Sequence, residues 1–311
     1  NPLSPASVGL FEMKYSFPIG DAVNVIVGPR ILTFRHFDIN RYTDVVSGAS
    51  GLNSYQSTLA NSGLSGAGAI VSWNISPELV FQAGYLNRND ASLRYFGGDG
   101  APNPSRGLFN GSNSLLAELA YSPTSDLTLR FLYTRAHLQA PPAAPPFQPN
   151  FPFFLTNSLR GVVDDGFGGG LDDIDSDNFV FNFDWTITPK FAVFGRYSYS
   201  RSNVEPINPF LSSGTVKVQA FQAGLAFPDL GSKGALGTLS FVVPFDVISG
   251  RQFLVSGYGN GGTEMNLEAA YFYPLSTNVA IVPTFFATFN ANNFDDNPTV
   301  FSVVLRTQFL F

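Results

Sequence analysis

Apolar and polar residues alternate along long stretches of the chain. In 177–187, Phe179, Phe181, Phe183, Trp185 and Ile187 share one parity, while Asn178, Asn182, Asp184 and Thr186 hold the other. In 264–273, Met265, Leu267, Ala269, Tyr271 and Tyr273 turn away from Glu264, Asn266 and Glu268. A period of two with one greasy face and one polar face predicts strands that separate an apolar from a wet environment. Thirteen segments read this way, near 7–17, 22–34, 66–75, 79–87, 113–121, 127–136, 177–187, 191–200, 215–227, 235–245, 264–273, 279–289 and 299–311. A tilted strand crosses a bilayer in ~9–11 residues, close to the length of most of these segments.

Alternation alone fits a soluble sheet packed on a core equally well, so the connections matter more. Short ones lie at 18–21, 76–78, 122–126, 188–190, 228–234 and 274–278, and each carries Pro, which presets φ for a tight turn. Long polar ones (35–65, 88–112, 137–176, 201–214, 246–263 and 290–298) alternate strictly with them. Short turns at one end and long loops at the other are the asymmetry of outer-membrane barrels. The chain closes on an alternating strand, with Phe301, Val303, Leu305, Phe309 and Phe311 opposite Ser302, Arg306 and Gln308. This ending resembles the signal by which bacterial barrel proteins are recognised for assembly.

Composition narrows the picture further. Charged residues are only 13% and aromatics 15%, with 32 Phe and 12 Tyr but 2 Trp. No run approaches the roughly 20 apolar residues of a transmembrane helix; the longest, such as 241–245, are short. A β-barrel is the other way to satisfy backbone groups in lipid. The predicted class is therefore all-β: a transmembrane antiparallel up-and-down β-barrel of porin type. The net charge of −6 argues against nucleic acid as a partner. Cysteine is absent, which fits export but weighs little. The opening Asn1-Pro2-Leu3-Ser4 carries no secretory signal. If the last strand ends at the periplasm, the segment at 7–17 starts outside. Thirteen is odd where bacterial single-chain barrels have even counts, so strands ahead of residue 1 are expected.

Several stretches carry a family resemblance: Lys14 to Asp21, Ser176 to Phe179, Arg196-Tyr197-Ser198-Tyr199-Ser200, Gln222 to Gly231, Glu268 to Leu275, Ile281-Val282-Pro283 and Leu305 to Phe309. The chain resembles the cyanobacterial outer-membrane porins, related to the carbohydrate-selective OprB-type porins and also labelled iron uptake porins. The resemblance implies sixteen strands, of which thirteen are visible, and a homotrimer in the lipid bilayer of the outer membrane. It also implies a peptidoglycan contact through an N-terminal domain absent from this sequence. Passive diffusion of inorganic ions and small hydrophilic solutes, iron or sugars among them, is the implied activity. A structural barrel that anchors the membrane to the wall is the alternative. On the sixteen-strand count, 35–65 is the connection that general porins fold inward, and Arg35, His36, Asp38, Arg41 and Asp44 are candidate constriction residues.

Alternation places Glu12, Lys14, Arg30, Glu118, Arg130, Asp184, Arg196, Lys217, Glu264, Glu268 and Arg306 toward the lumen. Mixed charges there either line a selective pore or merely pair across a closed barrel. Asp164, Asp165, Asp172, Asp173, Asp175 and Asp177 crowd a predicted loop at 164–177. Asp173, Asp175 and Asp177 have the alternating oxygens of a weak calcium candidate, but the Gly and distal Glu of a helix–loop–helix site are missing; a solvated loop is the stronger reading. The Pro-rich 141–154 reads as a rigid extended segment or a plain loop. His36 and His137 are the two histidines, and no Gly-x-Ser-x-Gly elbow accompanies them. Neither catalysis nor a cofactor is expected.

Overall fold

The computed structural model describes residues 12–43, 66–88, 107–139, 165, 167 and 171–309. Thirteen strands form one sheet: Met13–Ile19 (β1), Val23–Ile31 (β2), Gly66–Ser76 (β3), Leu79–Arg88 (β4), Asn113–Thr124 (β5), Leu127–Gln139 (β6), Leu171–Thr188 (β7), Phe191–Pro206 (β8), Gly214–Pro228 (β9), Leu236–Ser249 (β10), Met265–Pro274 (β11), Val279–Phe289 (β12) and Val300–Phe309 (β13). Each pairs antiparallel with its neighbour in sequence, in the order β1 to β13. The result is an all-β, up-and-down wall of porin type. Among the described residues no helix is long and apolar enough to cross a membrane.

Every predicted strand is present, and the tight Pro-bearing connections lie at one end. Only two residues separate β3 from β4, β5 from β6, and β7 from β8. At the other end, β7 begins at Leu171 rather than at 177, and β8 and β10 run on to Pro206 and Ser249. The connection predicted at 201–214 shrinks to 207–213 as a result. Residues 7–11 of the first predicted strand and the terminal Phe311 lie outside the described residues.

A reversal of polarity along the strands explains these extensions. Through most of β6 to β9 the outward face carries Phe131, Tyr133, Phe179, Phe181, Trp185, Tyr197, Phe221 and Leu225, and Phe179 is 53% exposed. The inward face carries Asn178, Asn182, Asp184, Arg196, Ser198 and Gln222, all buried. Apolar outside and polar inside is the arrangement a strand in lipid requires. Cross-strand aromatic pairs such as Phe131–Phe181 and Tyr133–Phe179, with centroids 4.9 and 5.1 Å apart, tile that surface.

Above the row Tyr133–Phe179–Tyr199–Gln219 the two faces exchange character. The next outward row is Arg135, Asp177, Arg201 and Lys217, followed by His137, Asp175, Asn203 and Thr215. Inward at this level are Ala136, Leu138, Ile174, Val204, Val216 and Val218, joined by Phe245, Val247, Phe253 and Leu254 in one buried cluster. A register shift between Val243 and Asp246 brings Phe245 and Val247 to the inner side. It sends Asp246 outward to accept a 2.8 Å hydrogen bond from Gln219. The strands thus leave the lipid and continue as an ordinary water-borne sheet with its core inside. The 18 residues of β7 span ~60 Å at ~3.3 Å each, about twice a ~30 Å hydrocarbon layer. A lipid-facing alternation rule stops where the polarity flips, which is why sequence reading cut β7 short.

This boundary predicts how substitutions on one outward face will behave. Phe181→Arg, inside the aromatic band, is expected to cost about 2–4 kcal/mol of folding into vesicles, whereas Thr215→Arg, above the flip, costs about 0–1 kcal/mol. Urea titrations of membrane-inserted protein measure both. Equal costs would place the boundary elsewhere.

Candidate functional site

The inner face is crossed by residues 32–43, a strap that leaves the far end of β2 and descends to the tight-turn end of β6 to β8. It starts with a 3-10 turn at Thr33–Arg35. Phe37 is fully buried among Ile31, Ile70, Leu86, Leu116, Leu132 and Val180. Room for its ring depends on Gly84, where an added Cβ would come within 3.2 Å of the ring. Lower down, Tyr42 packs with Ala192, Phe194 and Ala226, its ring 6.1 Å from that of Phe194. Gly224 is the corresponding small residue there, since any Cβ would collide with the Phe194 ring. Asp38, Asn40 and Tyr42 are buried while Ile39 and Arg41 are exposed, so the strap itself alternates like a strand.

Between the two apolar anchors lies a polar network. Asp38 occupies the left-handed region at φ 56°, and its N–H donates to the Glu118 carboxylate at 2.6 Å. Its own carboxylate forms an ion pair with Arg196, Nε to Oδ2 at 2.8 Å, and accepts from Asn182 Nδ2 at 2.6 Å. Its carbonyl accepts from Arg196 Nη2 at 3.0 Å. Asn40 donates to Asn182 Oδ1 at 2.8 Å. Arg41 reaches the Ser125 carbonyl and Thr186 Oγ1, each at 3.0 Å, and shares Asp184 with Arg130. Tyr42 Oη lies 2.6 Å from Thr186 Oγ1.

A second cluster fixes the upper end of the strap. Glu12 accepts from the Leu32 N–H at 3.2 Å and pairs with Lys14 at 3.1 Å and Arg35 at 3.4 Å, with His36 Nε2 at 3.3 Å. Burial alone would raise the Glu12 carboxyl. The bonds from Leu32, Lys14 and His36 outweigh it and hold the group below its ordinary value. Burial, with Lys14 nearby, pushes the His36 imidazole down, so it is neutral near pH 7.

The other residues singled out from sequence are placed as follows. Glu268 is buried on the inner face of β11, and Arg306 is partly buried on that of β13. Glu264 precedes β11 and accepts from Asn266 and from the Asn292 N–H. Arg30 sits in the bulged stretch between Gly28 and Ile31, where register slips against both neighbours, so alternation assigns it no face. Lys217 points outward beside Arg201 rather than into the lumen, because β9 is above the polarity flip at that point. Asp173, Asp175 and Asp177 belong to β7, not to a loop. Asp175 and Asp177 are engaged by Arg135 and His137, and no metal-holding group of side chains is found among the described residues. Asp44, Asp164 and the Pro-rich 141–154 lie outside the described residues. Sequence reading missed Phe37, Asn40, Tyr42, Asn182 and Thr186. Alternation did not mark the strap's anchors, since Phe37 and Asp38 are neighbours and both buried.

A wall of antiparallel strands, lipid-facing outside and polar within, with a connection laid along its inner face, defines an outer-membrane β-barrel of the porin class. The chain belongs to the carbohydrate-selective porin family, OprB, whose model matches residues 5–311. It is similar to two uncharacterized cyanobacterial proteins. One, from Synechocystis sp., is 26% identical over 266 residues, covering 79% of this chain and 43% of that protein. The other, from Nostoc sp., is 24% identical over 253 residues, covering 79% and 40%. The chain therefore spans about two-fifths of the length of these relatives. Among solved structures it is similar in fold to Pseudomonas putida OprB, with TM-score 0.57, 13% identity and coverage of 95% and 71%. It is likewise similar to an anion-selective porin from Comamonas acidovorans, with TM-score 0.55, 10% identity and coverage of 96% and 77%.

The upper cluster predicts an acid-sensitive strap. A lowered imidazole pKa means that the folded state favours neutral His36, so its contribution is complete above the ordinary imidazole value near 6.5 and is lost as pH falls below it. The lowered Glu12 adds a second loss at more acid pH, beginning near its ordinary 4.5. Hydrogen exchange at 32–37, corrected for intrinsic rates, should rise in two phases on acidification. His36→Gln should abolish the upper phase and leave the lower one. A flat profile from pH 7 to 4 would contradict the tether.

Proposed function

We propose that this chain forms the wall of a water-filled outer-membrane channel for passive diffusion of ions and small hydrophilic solutes, narrowed by the strap at 32–43. The observation that carries the reading is the strap's attachment: a connection laid along the inner face and held by Phe37, Asp38, Asn40 and Tyr42. A connection that served only as an external loop would gain nothing from an inward polar network of this extent. Pore-lining and constriction roles are assigned on this basis to Lys14, Arg35, Arg41 and Arg130, with Glu12, Asp38, Glu118, Asp184 and Arg196 as their framework.

The framework also suggests a sign of selectivity. In the ion pairs that hold the strap's two ends, the cation stands in solvent and the carboxylate is withdrawn: Arg35 is 40% exposed against 9% for Glu12, and Arg41 43% against 1% for Asp184. Charges that reach water act on permeating ions more than charges behind protein. Inorganic anions are thus favoured over ferric or other cations, and neutral sugars pass where the opening admits them. The homotrimer and the peptidoglycan contact expected from the resemblance are kept as part of this proposal.

Planar-bilayer recordings of the full-length protein test the reading. Open-channel events with a reversal potential on the anion side are expected, and their absence ends the proposal. Arg41→Glu with Arg35→Glu should move the reversal potential toward cations. Arg196→Ala, which strips Asp38 of its cation, should free the strap and raise single-channel conductance about twofold or change its noise. Unchanged conductance would show that the strap does not narrow the pore.

A further inference from the structure

The outward row above the aromatic band contains a juxtaposition that the channel does not use. Arg135, Asp177, Arg201 and Lys217 stand side by side on β6, β7, β8 and β9. Arg135 is taken by Asp177 at 2.7 Å and Asp175 at 3.4 Å. Asp177 also accepts from Tyr133 Oη at 2.6 Å, and it faces Arg201 across the ladder, near enough for their charges to attract. Arg201 and Lys217 are left directly opposite each other, and neither makes an ion pair or side-chain hydrogen bond among the described residues. Like charges facing across a ladder are ~4.5–5.5 Å apart at Cβ and oppose folding unless an anion lies between them.

Immediately below the Arg135–Asp177 part of this row is an apolar groove of about 290 Å³. Its walls include Phe81, Phe131, Tyr133, Phe179 and Tyr197, and the small Ala117 opens space between the rings. The groove lies on the lipid-facing side, and Tyr133 joins it to the charged row through Asp177. Tyrosines at this level mark the interface between acyl chains and headgroups.

We propose that this outward site binds one anionic lipid of the outer leaflet, with a phosphate between Arg201 and Lys217 and an acyl chain in the groove over Ala117. Charge complementarity and position select the occupant: two adjacent cations at headgroup height, with Asp177 beside only one of them, and an apolar slot at acyl height a few strands along match a broad, multi-chain amphiphile with a phosphate-bearing head. A free phosphate would use only the upper half of the site. A second copy of the chain would have to bring an acidic group and a narrow apolar projection at the same spacing.

The test titrates purified full-length protein in neutral detergent with lipid A, read by native mass spectrometry. Bound lipid A is expected on the wild type. Arg201→Gln with Lys217→Gln should weaken it by on the order of tenfold or more, since each basic residue near an anionic surface contributes about a factor of five. Ala117→Phe fills the groove, leaves both charges in place, and should weaken it as well. Heat-modifiable mobility checks that each variant is folded, and Lys217→Gln alone serves if the double variant is not. Retention of lipid A by the folded charge variants at wild-type affinity overturns the proposal. Saturation by inorganic phosphate at the affinity of lipid A would show a free-anion site instead. Loss of association between copies with lipid A binding unchanged would assign the face to a second subunit. None of these outcomes depends on whether the channel conducts.

Discussion

The lateral ladder of backbone hydrogen bonds is the constraint on which the rest of this molecule depends. In lipid an unpaired N–H or C=O has no water to turn to, so each strand takes its partners from the strands beside it, in unbroken sequence order from β1 to β13. With backbone polarity consumed in the plane of the sheet, side chains alone decide what each face meets. Alternation then becomes a statement about surroundings rather than about folding propensity. Phe179 and Asn178 are neighbours in sequence, yet one meets lipid and the other the interior.

The same constraint explains why polarity reverses along β6 to β10. From β6 to β9 backbone pairing continues across the boundary without change, and only β10 shifts its register there, so the ladder of these strands does not mark where the membrane ends. The mark is written in side chains: Tyr133, Phe179 and Tyr199 below, then Arg135, Asp177, Arg201 and Lys217 above. Inside, Val204, Val216, Val218 and Phe245 join the buried Ser176, Ser200 and Ser202 at this level. An apolar core at this level keeps the projecting strands rigid where no lipid supports them. The bulge before Asp246 keeps Phe245 and Val247 in that core.

Strand number, order and the end that carries the tight turns were legible in the sequence, because Pro-bearing connections and two-residue periodicity are local signals. The resemblance pointed to 35–65 as a connection of interest, but the anchors that hold 32–43 to the inner face were not legible. Phe37 and Tyr42 are aromatic residues in a polar stretch, and only the sheet shows that Gly84 and Gly224 leave room to seat them and their neighbours. Lys217 was misassigned for a definite reason. It lies between Val216 and Val218, and a rule that sends apolar residues to lipid sends the lysine inward. Above the polarity flip the rule reverses, and the valines are core. Asp175 and Asp177 were misread as a loop on the same ground, since aspartates at alternate positions look unstrandlike until Arg135 and His137 are seen across the ladder.

The strap shows how apolar and polar contacts divide the work of holding a segment inside a wet interior. Phe37 and Tyr42 remove large surfaces from water and supply most of the attraction, about 1.5–3 kcal/mol for each fully buried side chain of this size. They do not by themselves fix which residue faces which, because an aromatic ring in an apolar pocket tolerates sliding. The Asp38–Arg196 pair does fix it. Both members are almost fully buried, and removing one would leave an uncompensated charge at a cost of about 3–5 kcal/mol. Glu118, Asn182 and the Asp38 carbonyl complete the set of partners, so the charges are satisfied only when Asp38 occupies this place. A shift of one residue would put Phe37 or Ile39 against Arg196, without a carboxylate. The apolar anchors therefore hold the strap to the wall and the ion pair sets its register, which leaves Arg35 and Arg41, the exposed cations at its two ends, at fixed places along the interior.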